Sequence, residues 1–199
     1  MDLDFQKEIV LENARVLIRP LVSEDINHLL EVATEDRDLN RFSPVQIYSP
    51  ELLFQFIENS LSERRNGIRY PFIIFDKQFN AYAGSTSFLN ISNKDKRIEI
   101  GATWIGNQFQ RTGLNINCKF LLMSYAFDHL GFARVELKTD ERNVKSRAAI
   151  EAIGGQQEGI LRSHTVMSDG FRRNTVYYGI LSSEWPDLKR KLKAALDSN

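Results

Sequence analysis

The stretch Trp104-Ile105-Gly106-Asn107-Gln108-Phe109-Gln110-Arg111-Thr112-Gly113-Leu114-Asn115 decides how this chain is read. A strand-like run over residues 97–105 enters a loop, 106–113, and a helical pattern begins at once with Leu114, Cys118, Leu121, Leu122, Tyr125 and Ala126. The unpaired N–H groups of a first helical turn, with the positive dipole end, form a ready anion site. Gly113 lets a ligand approach the backbone closely, and Arg111 adds a positive charge. The spacing fits neither the Walker loop nor the dinucleotide fingerprint, since Gly-Lys-Ser/Thr and Gly-x-Gly-x-x-Gly are both missing. Taken alone, a glycine at a helix start is ordinary capping.

Upstream, residues 15–21 alternate as a strand, and Ser23 is the expected N-cap of a helix carrying Ile26, Leu29, Leu30 and Ala33 on one face. Ser49-Pro50-Glu51 opens a second helix, with a capping hydroxyl, a proline in the first turn and an acid at the positive end. Asn66-Gly67 stops it. Runs at 70–75, 81–91 and 97–105, separated by turn-rich stretches, read as antiparallel hairpins. Downstream come a strand at 134–139, a helix at 146–153 stopped by Gly154-Gly155, β-like segments at 159–167 and 175–181, and a polar helix over 183–197. The order predicts a mixed α/β (α+β) chain, and a doubly wound sheet would alternate strand and helix from the start.

Composition narrows the function. Lys+Arg and Asp+Glu both number 26 in 199 residues, so the zero net charge speaks against sequence-independent nucleic-acid binding. The hydrophobic fraction of 42% is that of a globular protein, and no linker or repeat marks a boundary, so residues 1–199 read as one domain. A lone Cys118 cannot close an intramolecular disulfide, which suits a reducing compartment. The start, MDLDFQKEIVLENARV, lacks the basic and apolar regions of a signal peptide, and no apolar run approaches a membrane span of roughly 20 residues. The expectation is a cytoplasmic protein with no membrane partner.

Gln110-Arg111-Thr112-Gly113-Leu114-Asn115 resembles the Q/R-x-x-G-x-G/A pyrophosphate loop of the GNAT acetyltransferase superfamily. The resemblance extends to Glu99-Ile100-Gly101, Tyr125-Ala126-Phe127, Arg134-Val135, Asn143-x-x-Ser146, Gly154, Glu158-Gly159-x-Leu161-Arg162 and Asp169-Gly170. In order and spacing these are similar to the RimJ/RimL-type branch, which acetylates protein N-termini, over a core of about 15–181. The resemblance implies the GNAT acyl-CoA N-acyltransferase fold, a splayed mixed sheet with antiparallel central strands flanked by helices. Acetyl-CoA would lie between the fourth and fifth strands, its pantetheine arm along Thr103, Trp104 and Ile105. Gln110, Arg111, Thr112, Gly113, Leu114 and Asn115 would hold the pyrophosphate. Asn115 stands where the superfamily prefers Gly or Ala, and its amide is expected to donate to the phosphates; Asn174 stands where the branch has an Asp.

Acetyl transfer to an amine needs a neutral nitrogen, oxyanion stabilisation and a proton for the departing thiolate. Glu99 is the candidate base, placed by strict alternation on the same face as Gly101 and Thr103; its alternative is a strand-surface Glu paired with a cation. Backbone N–H groups near Trp104 or Ile105 would meet the oxyanion. By resemblance Ser146 lies near the cofactor sulfur, though it could equally cap its helix. Asn143 is a turn residue or a pantetheine donor, and Arg147 meets a CoA phosphate or solvent. His164 is the second-choice base, whereas His28 and His129 read as packing residues at the core edge. No histidine pair has ligand spacing, so no metal is expected, and Cys118 reads as a core residue, which favours direct transfer. Phe42 and Trp104 are aromatic candidates for the acceptor pocket, and Trp185 an anchor for the last helix.

The reading is an acetyl-CoA-dependent N-acetyltransferase acting on a peptide N-terminus or a small-molecule amine, with no direct nucleic-acid partner; a homodimer is compatible with it. Asn115 and Asn174 keep a second reading open, a CoA-binding sensor or interaction module without turnover.

Overall fold

The computed structural model describes residues 1–197. Their strands are β1 (Leu11–Glu12), β2 (Val16–Pro20), β3 (Tyr70–Asp76), β4 (Ala81–Ser92), β5 (Arg97–Ile105), β6 (Arg134–Asp140), β7 (Gln156–Val166) and β8 (Arg172–Leu181). The helices are α1 (Ile26–Thr34), α2 (Pro50–Arg65), α3 (Leu114–Ser124), α4 (Val144–Ala152) and α5 (Trp185–Asp197). One mixed sheet holds all eight strands in the order β1-β2-β3-β4-β5-β6-β8-β7. β5 and β6 run parallel, and the other neighbours are antiparallel. This is the mixed, splayed architecture expected above. β1 is a two-residue addition, so the junction expected between the fourth and fifth strands falls between β5 and β6.

Local chemistry explains most boundaries. The Ser49 hydroxyl accepts the Leu52 N–H at 3.3 Å, Pro50 is the first residue of α2, and Gly67 at φ 70° takes the chain out. Ser23, in contrast, does not cap α1. It lies in a short 3₁₀ turn and its hydroxyl turns to Glu24. The buried Asp25 carboxylate accepts the Val22 N–H at 2.9 Å instead, and Arg19 holds the same carboxylate at 2.6 Å. The two-sided grip fixes the turn where a lone hydroxyl would not.

Helices cover both faces of the sheet. α1 packs on β4 and α2 on β3, and Phe56 of α2 meets Trp104 of β5 edge-on at 6.3 Å. On the opposite face α3 crosses β1, β2 and β5, α5 packs on α3, and α4 lies on β6. β3 is buried along nearly its whole length, whereas β7 is an exposed edge strand. Trp185 anchors α5: its indole N–H donates to Asp128 at 2.8 Å and its ring stacks on Phe127. His28 and His129 stack on Tyr82 and Tyr125. Among the described residues no helix is long and apolar enough to cross a membrane.

Candidate active site

The loop between β5 and α3 is shaped from within. The Gln110 amide donates to the Ile105 carbonyl at 3.0 Å and to Asn107 Oδ1 at 3.1 Å. The Thr112 hydroxyl donates to the Phe109 carbonyl at 2.7 Å and accepts from Arg15 at 3.1 Å. These side chains are committed inside the loop, so their outward contribution is the backbone. Arg111 at φ 62° and Gly113 at φ 85° turn that backbone through left-handed conformations. α3 begins without a side-chain cap, and the N–H groups of residues 111–116 have no acceptor among the described residues. A Cβ built on Gly113 would meet nothing within 4 Å. Free donors, a helix N-terminus and open space fit a diphosphate. Arg111 is exposed beside them, and the half-buried Asn115 amide is uncommitted among the described residues.

β5 and β6 pair only from Arg97 to Glu99 on β5 before the strands part. Beyond Glu99 the β6-facing edge of β5 is open, as an extended pantetheine arm would require. Gly106 donates to the Ala83 carbonyl at 2.9 Å, so alternation aims the N–H groups of Ile105 and Thr103 at the open side and that of Trp104 at β4. Strict alternation does not survive along the whole strand. Ala102 has φ 46°, and the β4–β5 register shifts between Ser85 and Ser87, a bulge that sets two β5 residues against Thr86. The expectation that Glu99 and Thr103 share a face is therefore corrected. Thr103 turns to Lys119 of α3 at 2.7 Å, while Glu99 turns to Lys138 of β6.

Glu99 is 6% exposed, and one carboxylate oxygen receives Lys138 Nζ at 2.7 Å and the Asn90 amide at 2.6 Å. The cation pairing foreseen as the alternative role is present, but in a buried position at the mouth of the gap. Burial pulls the Lys138 ammonium down, and the Glu99 carboxylate more than offsets this, leaving it above its usual value. Lys138 also sits 4.5 Å from the Tyr177 ring centroid. The Tyr177 hydroxyl lies 3.4 Å from His164 Nε2, and His164 Nδ1 lies 3.1 Å from Thr175 Oγ1. The two candidate bases thus stand at opposite ends of one polar chain.

Across the gap, Asn143 caps α4 by accepting the Ser146 N–H at 3.1 Å. The capping role thus belongs to Asn143, and the half-buried Ser146 hydroxyl has no hydrogen-bond partner among the described residues. Arg147 reaches back to the Tyr178 hydroxyl at 3.2 Å, a bond that raises its pKa, and to Gln157 at 3.3 Å. Asn174 accepts the Ser163 N–H and donates to Glu141, tying β7 and β8 to the turn before α4. Cys118 is buried, and burial pushes its thiol up to about 12, as befits a core residue.

A cleft of about 780 Å³ opens between the α1–α2 loop and the β7–β8 turn, lined by Arg41, Phe42, Tyr48, Phe56 and Arg142 among others. Arg142 closes one side. Its guanidinium holds the buried Asp140 carboxylate at 2.7 and 3.0 Å and lies 3.9 Å from the Phe171 ring centroid and 5.7 Å from that of Phe42. Burial alone would raise the Asp140 carboxyl, but hydrogen bonds from the Arg142 side chain and N–H hold it below its usual value. Arg173 fixes the same loop by donating to the Phe42 carbonyl at 2.9 Å. Phe42 therefore lines this cleft. Trp104 lies beneath it, 3% exposed, and its indole N–H has no hydrogen-bond partner among the described residues.

Sequence reasoning missed Lys138, Tyr177, Arg142 and Lys119. Lys138 and Tyr177 were legible as polar positions alternating along strands, but nothing local ties them to Glu99. Lys119 had a plainer signal, a lysine inside the otherwise apolar run Cys118-Lys119-Phe120-Leu121.

The profile of the Acetyltransferase (GNAT) domain matches residues 15–156. A Bacillus subtilis (strain 168) protein, YdaF, which carries the provisional name of a ribosomal N-acetyltransferase, is 34% identical over 102 residues. That alignment covers 51% of this chain and spans about half, 55%, of YdaF. YoaA of the same organism, an uncharacterized N-acetyltransferase, is 24% identical over 174 residues, covering 86% of this chain and 96% of YoaA. The crystal structure of a GCN5-related N-acetyltransferase from Brucella melitensis superposes with a TM-score of 0.86 at 26% identity, covering 94% of this chain and 85% of that one. With the open-edged strand, the donor-lined loop and the profile match over most of its length, the chain belongs to the GNAT acetyltransferase family.

Proposed function

We propose that this N-acetyltransferase moves the acetyl group of acetyl-CoA directly onto the α-amine of a protein N-terminus, as a cytoplasmic, RimJ/RimL-like single-domain enzyme. The observation that carries the reading is one alignment of parts: free N–H groups at 111–116, the open edge of β5 and the carboxylate of Glu99 follow one another along the parting strands. The provisional name of YdaF supports a ribosomal-protein acceptor.

The residues divide the work as follows. Backbone N–H groups of residues 111–116 hold the pyrophosphate, with Arg111 and Asn115 beside it. The pantetheine arm pairs with β5 through Thr103 and Ile105, and the N–H groups aimed at the open side meet the thioester carbonyl. The acceptor enters over Phe42 and Arg142, and its nitrogen attacks the carbonyl carbon. The N–C bond forms, the C–S bond breaks, and the nitrogen releases one proton to Glu99, directly or through water. The Ser146 hydroxyl donates a hydrogen bond to the departing thiolate, which takes its proton from solvent. An α-amine has a pKa of about 8, so a useful fraction is neutral near pH 7 and the base has only to collect a proton.

The test is thiol release from acetyl-CoA with a panel of ribosomal-protein N-terminal peptides, their lysine-containing N-acetylated forms, and small amines. Turnover is expected with free peptide N-termini and none once they are blocked. Turnover with small amines alone would reassign the acceptor. Acetyl-CoA binding without CoA release from any amine would make the chain a sensor.

A further inference from the structure

Lys119, the sixth residue of α3, is 6% exposed. Its ammonium donates to Thr103 Oγ1 at 2.7 Å, and Thr103 Oγ1 lies 2.7 Å from Thr86 Oγ1. Lys119 makes no ion pair among the described residues. Of the charges on the neighbouring stretches of β5 and β6, Glu99 pairs with Lys138 and Asp140 with Arg142. The titratable groups on the α3 side include Cys118 on the helix itself, Arg15 just before β2 paired with Asp76 of β3, Tyr70 of β3 and Tyr125 after the helix. Asp128 is held by Lys189 of α5, and Glu12 of β1 pairs with Lys77. A buried cation without a counter-charge is costly to fold around.

Its position is telling. Thr103 and Thr86 are the two residues that face each other across the bulge, next to Ala102 in its left-handed conformation. We infer that Lys119 is a positioning residue for acetyl transfer: through the Thr103 hydroxyl it fixes the β5 bulge and holds a positive charge behind the strand edge that meets the thioester carbonyl. The inference rests on the reading that acetyl-CoA lies along β5. A fixed charge in a water-excluded core favours the oxyanion without any reorganisation at the moment of attack. Lys119 touches neither substrate. It acts by setting where the Thr103 N–H points and by the potential at that edge. Burial brings its pKa down to about 8, so the charge is present below that pH and fades above it.

The test compares wild type with Lys119→Met and Thr103→Val in kcat, in KM and Kd for acetyl-CoA, and in the pH dependence of kcat from 6 to 10. Lys119→Met is expected to lose at least tenfold in kcat with KM and Kd for acetyl-CoA within twofold, and Thr103→Val to follow it in part. Wild-type kcat is expected to fall above about pH 8, and this descending limb to be missing from Lys119→Met. A wild-type kcat in Lys119→Met, or an unchanged descending limb, would overturn the inference while leaving the acetyltransferase reading intact. Failure of the wild type to bind acetyl-CoA would overturn that underlying reading, and this inference with it. Should Lys119→Met not fold, Thr103→Val decides, because an intact kcat and limb there breaks the proposed relay.

Discussion

Replacing Lys119 with methionine should make the protein more stable at neutral pH, and the gain should vanish in alkali. Burial lowers the lysine from 10.5 to about 8, so holding the ammonium inside at pH 7 costs about 3 kcal/mol. Methionine has a similar length and buries no charge. Its introduction forfeits the hydrogen bond to Thr103, worth about 1.5 kcal/mol net for a charged donor, yet Thr103 keeps Thr86 as a partner and no hydroxyl is orphaned. The balance is a gain of about 1–2 kcal/mol, or roughly 3–6 °C in Tm for a chain of this size. The sign with pH follows from the proton count. Between about pH 8 and 10.5 the unfolded lysine is protonated and the folded one is not, so wild-type stability rises with pH across that window. Below pH 8 the penalty is present in full; above 10.5 it is gone. Urea unfolding at pH 7, 8.5 and 10, followed by the fluorescence of the buried Trp104 and Trp185, should show the two proteins converging. A variant less stable than wild type at pH 7, by an amount that does not change with pH, would refute the reasoning.

Glu99→Gln should lower kcat by one hundredfold or more and leave KM for acetyl-CoA unchanged, in steady-state assays across pH 6–9; unaltered turnover over that range removes Glu99 from the chemistry. Gly113→Ala places a side chain at φ 85° and projects it into the open space beside the free N–H groups. It should cost about 1 kcal/mol of stability and weaken acetyl-CoA binding at least tenfold by calorimetry, and an unchanged Kd would move the diphosphate elsewhere. Arg142→Ala releases Phe42 and Phe171 from one another across the cleft. It should raise KM for the peptide several-fold and not that for acetyl-CoA, a split that two-substrate kinetics resolves.

The loop could be read directly because its signal is local: a strand, a glycine and a helix start are neighbours in the chain, and the free N–H groups follow from covalent geometry. Ser49-Pro50 was legible for the same reason. Where the outcome depends on partners distant in sequence, local reading ran out. Ser23 had the right side chain for a cap, but Arg19 gives Asp25 a second bond and the aspartate prevails. Alternation fixed the face of Glu99 yet failed at Thr103, because a bulge depends on how β5 sits against β4. Ser146 and Asn143 competed for one capping role that spacing alone could not award, and the geometry gives it to Asn143. Lys138 and Arg142 acquire their places only when β6 comes alongside β5 and the α1–α2 loop folds over it.

A glutamate held by a lysine looks like a poor base, yet the pairing suits an α-amine. Lys138 lies 2.7 Å from the Glu99 carboxylate, and Arg173 adds a second cation near the same face. A nitrogen approaching Glu99 meets a carboxylate whose negative charge these cations offset, so its ammonium finds no free counter-charge and burial lowers its pKa. For an amine that starts near 8, a small downward push makes the neutral form dominant at pH 7; for a lysine starting near 10.4 the same push leaves it almost wholly charged. The cation therefore selects by proton affinity, and Glu99 needs only to receive the proton released once the N–C bond forms. Removing the charge should reverse this. Lys138→Met is expected to shift the acid limb of kcat for the peptide upward by about one pH unit and to lower kcat at pH 7 about fivefold, with little change at pH 9. If the limb stays in place, the lysine only holds Glu99 still, and the preference for an α-amine has to come from the walls of the cleft.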